Sequence, residues 1–321
     1  MSILIYAENQ NGKLSKSAKE LASYAKVYAD RKGKQVVALA IGVEQPEELY
    51  QYGVSKVLNV TNNQLTKFNA YAHADVIKQA ADQLQADLVL ISDSNDSVYL
   101  GPLLAVKWDA AYVTHVIDVP EDAEKFIVKR KVFSNKGIAY TEILTDKKLL
   151  RITKNSFGIL ENIVDGEVVN FEPEVDLSVY ESFKTIDVER TTGKISLTDA
   201  DIIVSAGRGL KGPENWVMIE ELAQILGAAT ACSKPVADIG WRPHTEHVGQ
   251  TGKQVAPNLY IAIGISGAIQ HLAGVNASKN ILVINNDPEA PFFKAADYGV
   301  VGDAFEIVPQ LIEKLKAFKN N

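Results

Sequence analysis

The chain has 321 residues, 46% of them hydrophobic, with a net charge of -7 and one cysteine. That length supplies two domains with cores of their own, and the acidic balance without any Lys/Arg block excludes the electrostatic footprint of a nucleic-acid binder. Cys232 alone forms no intramolecular disulfide and reads as a buried packing residue, and no apolar run approaches the ~18 residues of a membrane span, so a cytoplasmic protein without direct membrane insertion is expected.

MSILIYAEN enters a strand pattern directly, with no charged and apolar leader. Ser2 to Tyr6 is the first strand; Leu14, Ala18, Leu21, Ala22, Ala25 and Val27 lay a stripe along a helix that stops at Gly33, and QVVALAIG is the next strand. PEELYQYG reads as a short helix before the strand KVLNV, NAYAHADVIKQAADQLQ as a long helix before DLVLIS, and VYLGPLLAVKW as a helix before YVTHVIDV. This alternation is that of a parallel sheet covered by helices. After Pro120, KFIVKRKVFSNKGIAYTEILTDKKLLRITKNSF holds short β-rich runs parted by Asn-Lys-Gly and Asp-Lys-Lys turn signals, which predicts antiparallel strands at the sheet edge. From about Asp165 to Asp199 the chain is acidic, turn-prone and poorly periodic, and the expected boundary there separates residues 1–190 from 191–321.

From Asp201 the alternation restarts: strand DIIVSAG, helix PENWVMIEELAQILG, strand AATACS, strand NLYIAIG with helix SGAIQHLAG, strand NILVINND and a closing helix FEIVPQLIEKLKAF. The glycine turn of GISGAIQH, between a parallel strand and a helix, exposes backbone N–H groups to an anion, or else serves tight packing. Arg208, in SAGRGLKGPEN at another strand tip, reaches a phosphate or a planar ring, or is a surface arginine. With SKPVADIGW and VGQTGKQVAP, these tips form a crevice at one sheet edge. GQTGK is not a phosphate loop, because its glycine spacing is wrong and Gln254 follows Lys253. His244 and His247 read as solvated loop histidines rather than metal ligands, and no G-x-S-x-G elbow is present.

The stretches GRGLKGPEN, VGQTGKQVAPNLYIAIGISGAIQHLAG and INNDPEAPFFKAADYGVVGD closely resemble the carboxyl-terminal FAD domain of the electron transfer flavoprotein alpha subunit, from about Asp201 onward. The βα order of the first part resembles that family's amino-terminal domain, with weaker sequence likeness. The resemblance implies an α/β fold with two parallel-sheet domains, the C-terminal one Rossmann-like and FAD-binding. It places Arg208 by the isoalloxazine face, and Ser233 with Val248, Gly249, Gln250 and Thr251 around the ring and its linker, the Thr251 hydroxyl at the N5 edge. Ser266, Gly267, Ala268, Ile269, Gln270 and His271 match the helix start that holds the cofactor, with His271 near the pyrimidine carbonyl O2. Asn285 matches the diphosphate or ribose side, and Asp303 with Ala304 the adenosine end. A positive imidazole or a helix N-terminus there would stabilise negative charge on the ring. Lys234 departs from the arginine common in the family, keeping the charge without the planar stacking surface, and VKRKVFSNKGIA departs from the family's usual arginine- and glycine-containing pattern.

The implied function is single-electron carriage, from flavin dehydrogenases such as those acting on acyl-CoA in fatty acid β-oxidation to a quinone reductase. It requires a beta subunit as heterodimeric partner and assigns no catalytic residue and no metal. A nucleotide-dependent α/β enzyme would need an acid, base or nucleophile in the crevice, and no convincing set is found. An electron-bifurcating subunit is a further alternative. A nucleotide-binding regulatory module on the first domain would need a phosphate loop after the first strand, where only Gly12 stands.

Overall fold

Alternating side chains explain the first sheet. In the computed structural model, which describes residues 2–121, 124–176, 178 and 195–319, strand β1 (Ser2–Ala7) sends Ile3 and Ile5 to one core and Leu4 and Tyr6 to another. A strand buried on both faces needs apolar residues at every position, hence the unbroken run. After the small hairpin β2 (Asn9–Gln10) and β3 (Lys13–Leu14), helix α1 (Lys16–Lys32) starts at Ser15, whose hydroxyl accepts from Ala18 N, and ends at left-handed Gly33. Leu14 therefore belongs to β3 and not to the helical stripe. Strands β4 (Gln35–Ile41) and β5 (Lys56–Val60), with a 3-10 turn at Pro46–Gln51 between them, are followed by α2 (Ala70–Gln83), β6 (Leu88–Ser92), α3 (Asn95–Trp108) and β7 (Ala111–Val116).

The last strands of this unit correct two expectations. Strands β8 (Ile127–Val132) and β9 (Gly137–Glu142) are the antiparallel edge pair, but β10 (Lys148–Ile152) inserts between β6 and β7, parallel to both. Its burial explains why: Leu149 and Leu150 are fully buried, which an edge position would not provide. Within the stretch expected to be irregular, β11 (Glu167–Asn170) pairs with β5 at the other edge, giving the order β11-β5-β4-β1-β6-β10-β7-β8-β9. The expected boundary at 190/191 lies outside the described residues.

The strand order reverses between β1 and β6, the position where doubly wound sheets seat ligands. Here that seat holds the chain's own Glu8. Its carboxylate accepts from the Ser92 and Ser94 hydroxyls, both at 2.6 Å, and from the Ser97 hydroxyl at 3.0 Å, at the N-terminus of α3. Burial raises the Glu8 pKa, against the opposing pull of these hydroxyls and of Lys154.

The second unit has one sheet, all parallel, in the order β13-β12-β14-β15-β16. Its elements are β12 (Ile202–Ala206), α4 (Val217–Leu226), β13 (Ala229–Cys232), α5 (Lys234–Asp238), β14 (Leu259–Ile263), α6 (Ile269–Val275), β15 (Asn280–Asn285), β16 (Tyr298–Val301) and α7 (Ala304–Lys319). One face packs on α4 and α7 through Val204, Ile261, Ile219 and Val308; the other gathers Ile203, Tyr260, Val248, Val275 and Phe292. The edge strand β16 falls in a stretch not read as a strand, its side chains exposed and without strand alternation. Helix α6 begins at Ile269, so Ser266, Gly267 and Ala268 form the turn before it and not its first turn. Among the described residues no helix is long and apolar enough to cross a membrane.

Because the folded pKa of Glu8 lies above its ordinary value of 4.5, the native chain keeps a proton there that the unfolded chain has released, and stability falls as pH rises from that value. Glu8→Gln, a mimic of the protonated form, is expected to flatten this slope. Denaturant midpoints of variant and wild type at mildly acidic and neutral pH check it: the gap between the two should change with pH.

Candidate functional site

Parallel pairing brings the carboxyl ends of β12, β13, β14 and β15 to one edge, and a cavity of about 550 Å3 opens there. Arg208 and Gly209 reach it from the tip of β12, Ser233, Lys234 and Pro235 from the tip of β13, and Gly264, Ile265, Ser266 and Ala268 from the turn after β14. Gln270 and His271 enter from α6, Asn285 and Asp287 from the end of β15, and His247, Val248, Gly249, Gln250 and Thr251 from the loop between α5 and β14.

That loop is held from several sides. Val248 N donates to Cys232 O at 3.1 Å, Gln250 N to Gln270 O at 2.7 Å and Gly249 N to Lys253 O at 3.1 Å. Upstream, Arg242 pairs in a bidentate fashion with the buried carboxylate of Glu246, Nε to Oε2 at 2.7 Å, and stacks 5.4 Å over the Trp216 ring. A Cβ on Gly274 of α6 would lie 2.5 Å from the Gly249 N and Cα, so helix and loop touch backbone to backbone.

Several predicted residues stand elsewhere. Gly267, with φ of +83°, does not line the cavity; its missing side chain makes room for Phe292, whose N and Cβ lie 2.5 Å from where a Cβ would sit. Ile269 is exposed on α6, also away from the cavity. Asp303 accepts from Phe305 N at 2.9 Å at the start of α7, where Ala304 is buried, and neither lines the cavity. The residue before them, Gly302, is tied to the cavity-lining Asn285, its N donating to Asn285 O at 3.0 Å.

The histidines carry two corrections. His247 is buried and lines the cavity, where a solvated side chain was expected; burial lowers its pKa, with Asp238 opposing. The pair His244-x-x-His247 was the sequence signal for it. His271 is not a cation at neutral pH: burial, then the neighbouring His247, lower its pKa to about 4, against a weak opposing pull from the Val248 backbone. Its Nε2 lies 3.0 Å from the Tyr260 hydroxyl, while its buried Nδ1 has no hydrogen bond of normal geometry. Cys232 is fully buried and its thiol is pushed up to about 12, chiefly by burial, so it is no nucleophile. Among the described residues no group of three or more His, Cys, Asp or Glu is placed to hold a metal.

A parallel sheet with a polar crevice at its strand tips, lined by an arginine, a lysine and several hydroxyl and amide groups, has the form of a nucleotide-type cofactor-binding α/β protein. Residues 196–276 match the family model described as electron transfer flavoprotein FAD-binding domain, and residues 3–175 match that of the electron transfer flavoprotein domain. The chain is 35% identical to the electron transfer flavoprotein subunit alpha of Thermoanaerobacterium thermosaccharolyticum, over 99% of this chain and 98% of that one. It is 36% identical to the subunit alpha of Bacillus subtilis, over 84% of this chain and 83% of that one. It is 32% identical to a protein of Anaerotignum propionicum named acryloyl-CoA reductase electron transfer subunit beta, over 99% and 96%. The chain belongs to the electron transfer flavoprotein alpha subunit family; its cofactor is FAD and its role is electron transfer.

Gly274→Ala is expected to push the 249–251 loop off α6, with a loss of about 1–3 kcal/mol in stability and a fall in bound FAD. Thermal unfolding and the flavin absorbance of the purified protein check both. Retention of full flavin content would mean that the loop tolerates the displacement.

Proposed function

We propose that the chain is the FAD-holding subunit of a heterodimer with a beta subunit, a cytoplasmic carrier that takes single electrons from flavin dehydrogenases, those acting on acyl-CoA among them, and delivers them to a quinone reductase. It is a carrier rather than a substrate-converting enzyme. The observation that carries this reading is the cavity itself. It gathers cationic, hydroxyl and amide groups around a partly apolar floor of Val248 and Ile265 and contains no paired nucleophile and base. The volume of about 550 Å3 suits a flavin ring and its linker. The buried Nδ1 of His271, which makes no hydrogen bond of normal geometry, also fits a polar ligand.

Bound FAD supplies the one-electron chemistry, and the chain's own residues bind and orient it. Arg208 offers a planar, delocalised cation to the ring, and Lys234 a compact point charge at the tip of β13. The hydroxyls of Ser233, Thr251 and Ser266 and the amide of Gln270 would hold the ring edge and linker. Asn285 would stand on the diphosphate or ribose side, and Asp303 and Ala304 at the adenosine end. Asn285 is itself oriented, its amide donating to Ile265 O at 3.0 Å. His271, neutral as it stands, gains proton affinity when negative charge arrives beside it. In this reading residues 191–321 hold FAD and residues 1–190 supply the contacts with the partner subunit. The relative named for acryloyl-CoA reductase supports acyl-CoA-linked redox enzymes as the class of donor or acceptor.

Co-expression with the cognate second subunit is expected to give a yellow complex near twice the monomer mass that releases FAD on denaturation. A colourless complex after reconstitution with FAD would sink the reading. Lys234→Arg keeps the charge but adds a planar surface, so it is expected to move the flavin midpoint potentials. Potentiometric titration of both forms decides whether Lys234 meets the ring.

A further inference from the structure

The Tyr260–His271 pair lies beneath the cavity, and its proton arrangement follows from the surroundings. Tyr260 is fully buried on β14, and its hydroxyl lies 3.0 Å from His271 Nε2. Two arrangements satisfy that distance. In one, the phenol donates to Nε2 and the imidazole carries its hydrogen on Nδ1. In the other, Nε2–H donates to the phenol oxygen, and the phenol hydrogen must find another acceptor.

The second arrangement is the costlier one. Against the larger effect of burial, the Ser205 side chain hydrogen-bonds to the phenol and pulls its pKa down, in the sense of a donor to the phenol oxygen, so it supplies a hydrogen there and does not take one. Nδ1 would then be a bare lone pair in a buried place where the Val248 backbone favours a hydrogen. A buried donor or acceptor left without a partner carries its full desolvation penalty, and the first arrangement avoids it at the phenol and eases it at Nδ1. Packing resists a ring flip that would exchange the nitrogens: Phe292 meets His271 edge-on at 5.7 Å and stacks on Tyr260 at 6.4 Å. Burial also keeps the phenol protonated, which preserves it as a donor.

We propose that Tyr260 is a positioning residue that holds His271 in the neutral tautomer with hydrogen on Nδ1. The consequence for the cofactor rests on the flavin reading given above. With Nε2 capped from the sheet, His271 would face bound FAD as a donor of fixed polarity, its hydrogen on the side of the Val248 loop. Tyr260 does not line the cavity and acts through His271.

The test uses the full-length chain with its partner subunit, labelled with 15N at histidine and stripped of FAD, and reads long-range 1H–15N correlations of the imidazoles. Loss of one set of signals in His271→Gln assigns His271. The expected wild-type pattern is a pyrrole-type Nδ1 and a pyridine-type Nε2; in Tyr260→Phe, the Nε2 signal shifts toward the average of the two tautomers. A wild-type Nε2–H pattern overturns the proposal whether or not the variant folds, and an unchanged pattern in a folded Tyr260→Phe overturns it as well. These readings are made without FAD, so a failure of the flavin reading leaves them intact. A yellow complex carrying the wrong tautomer defeats this proposal alone. After FAD is restored, Tyr260→Phe is expected to stay yellow with shifted midpoint potentials, and potentials identical to wild type overturn the positioning role.

Discussion

Parallel pairing is the constraint from which the site follows. Parallel strands cannot be joined by a tight hairpin, so each connection returns over a face of the sheet and every loop that leaves a strand does so at the same edge. In the second unit this gathers the tips of β12, β13, β14 and β15, which are far apart in sequence, within reach of one ligand. The strands contribute little chemistry of their own, since their side chains are spent on the two cores. They act as a fixed frame, and the chemistry stands on the loops, where backbone N–H groups are free of the ladder.

Holding those loops requires buried polar contacts. The Arg242–Glu246 pair has a carboxylate that is almost entirely out of water, and such a pair serves to fix geometry more than to add net stability. Burial of His271 and His247 has an electrostatic consequence. Burial, then the neighbouring His247, disfavour charge on His271, and burial, with Lys234 and His244, disfavours it on His247. The positive character of the site then comes from Arg208 and Lys234 at its mouth.

Much of this was legible in the sequence, and the limits have physical causes. The apolar runs of β12 and β14 and the glycine turns after them are local signals, and they located the crevice. The position of β10 is not local: LLRI reads the same whether it lies at an edge or between two strands, and only its pairing with β6 and β7 decides. Strand β11 is only four residues long, and its place at the sheet edge is decided by pairing with β5, more than a hundred residues away in the chain. The charge of His271 was misjudged because charge depends on burial, which the helix-start pattern GISGAIQH does not encode. Gly267, expected in the cofactor turn, makes room for Phe292, a contact across 25 residues of chain that no spacing rule contains.

The approach of Gly249 to Gly274 also bears on how this protein can vary. The Gly249 backbone occupies the volume that a side chain on Gly274 would need, 2.5 Å from where its Cβ would sit, whereas a Cβ on Gly249 would meet Gln270 O and His247 Nε2, each at 3.2 Å. A side chain on Gly274 is thus a clash with the loop itself, and one on Gly249 presses on α6 and on His247. Residues in contact do not vary independently, so substitutions here are not additive. A second change at Gly249 cannot relieve a first at Gly274, because glycine already has nothing left to remove. The only compensating path is a shift of the whole loop, and with it the walls of the cavity. Sequence drift at this pair is thus tied to the shape of the ligand, although neither glycine has a side chain with which to touch it.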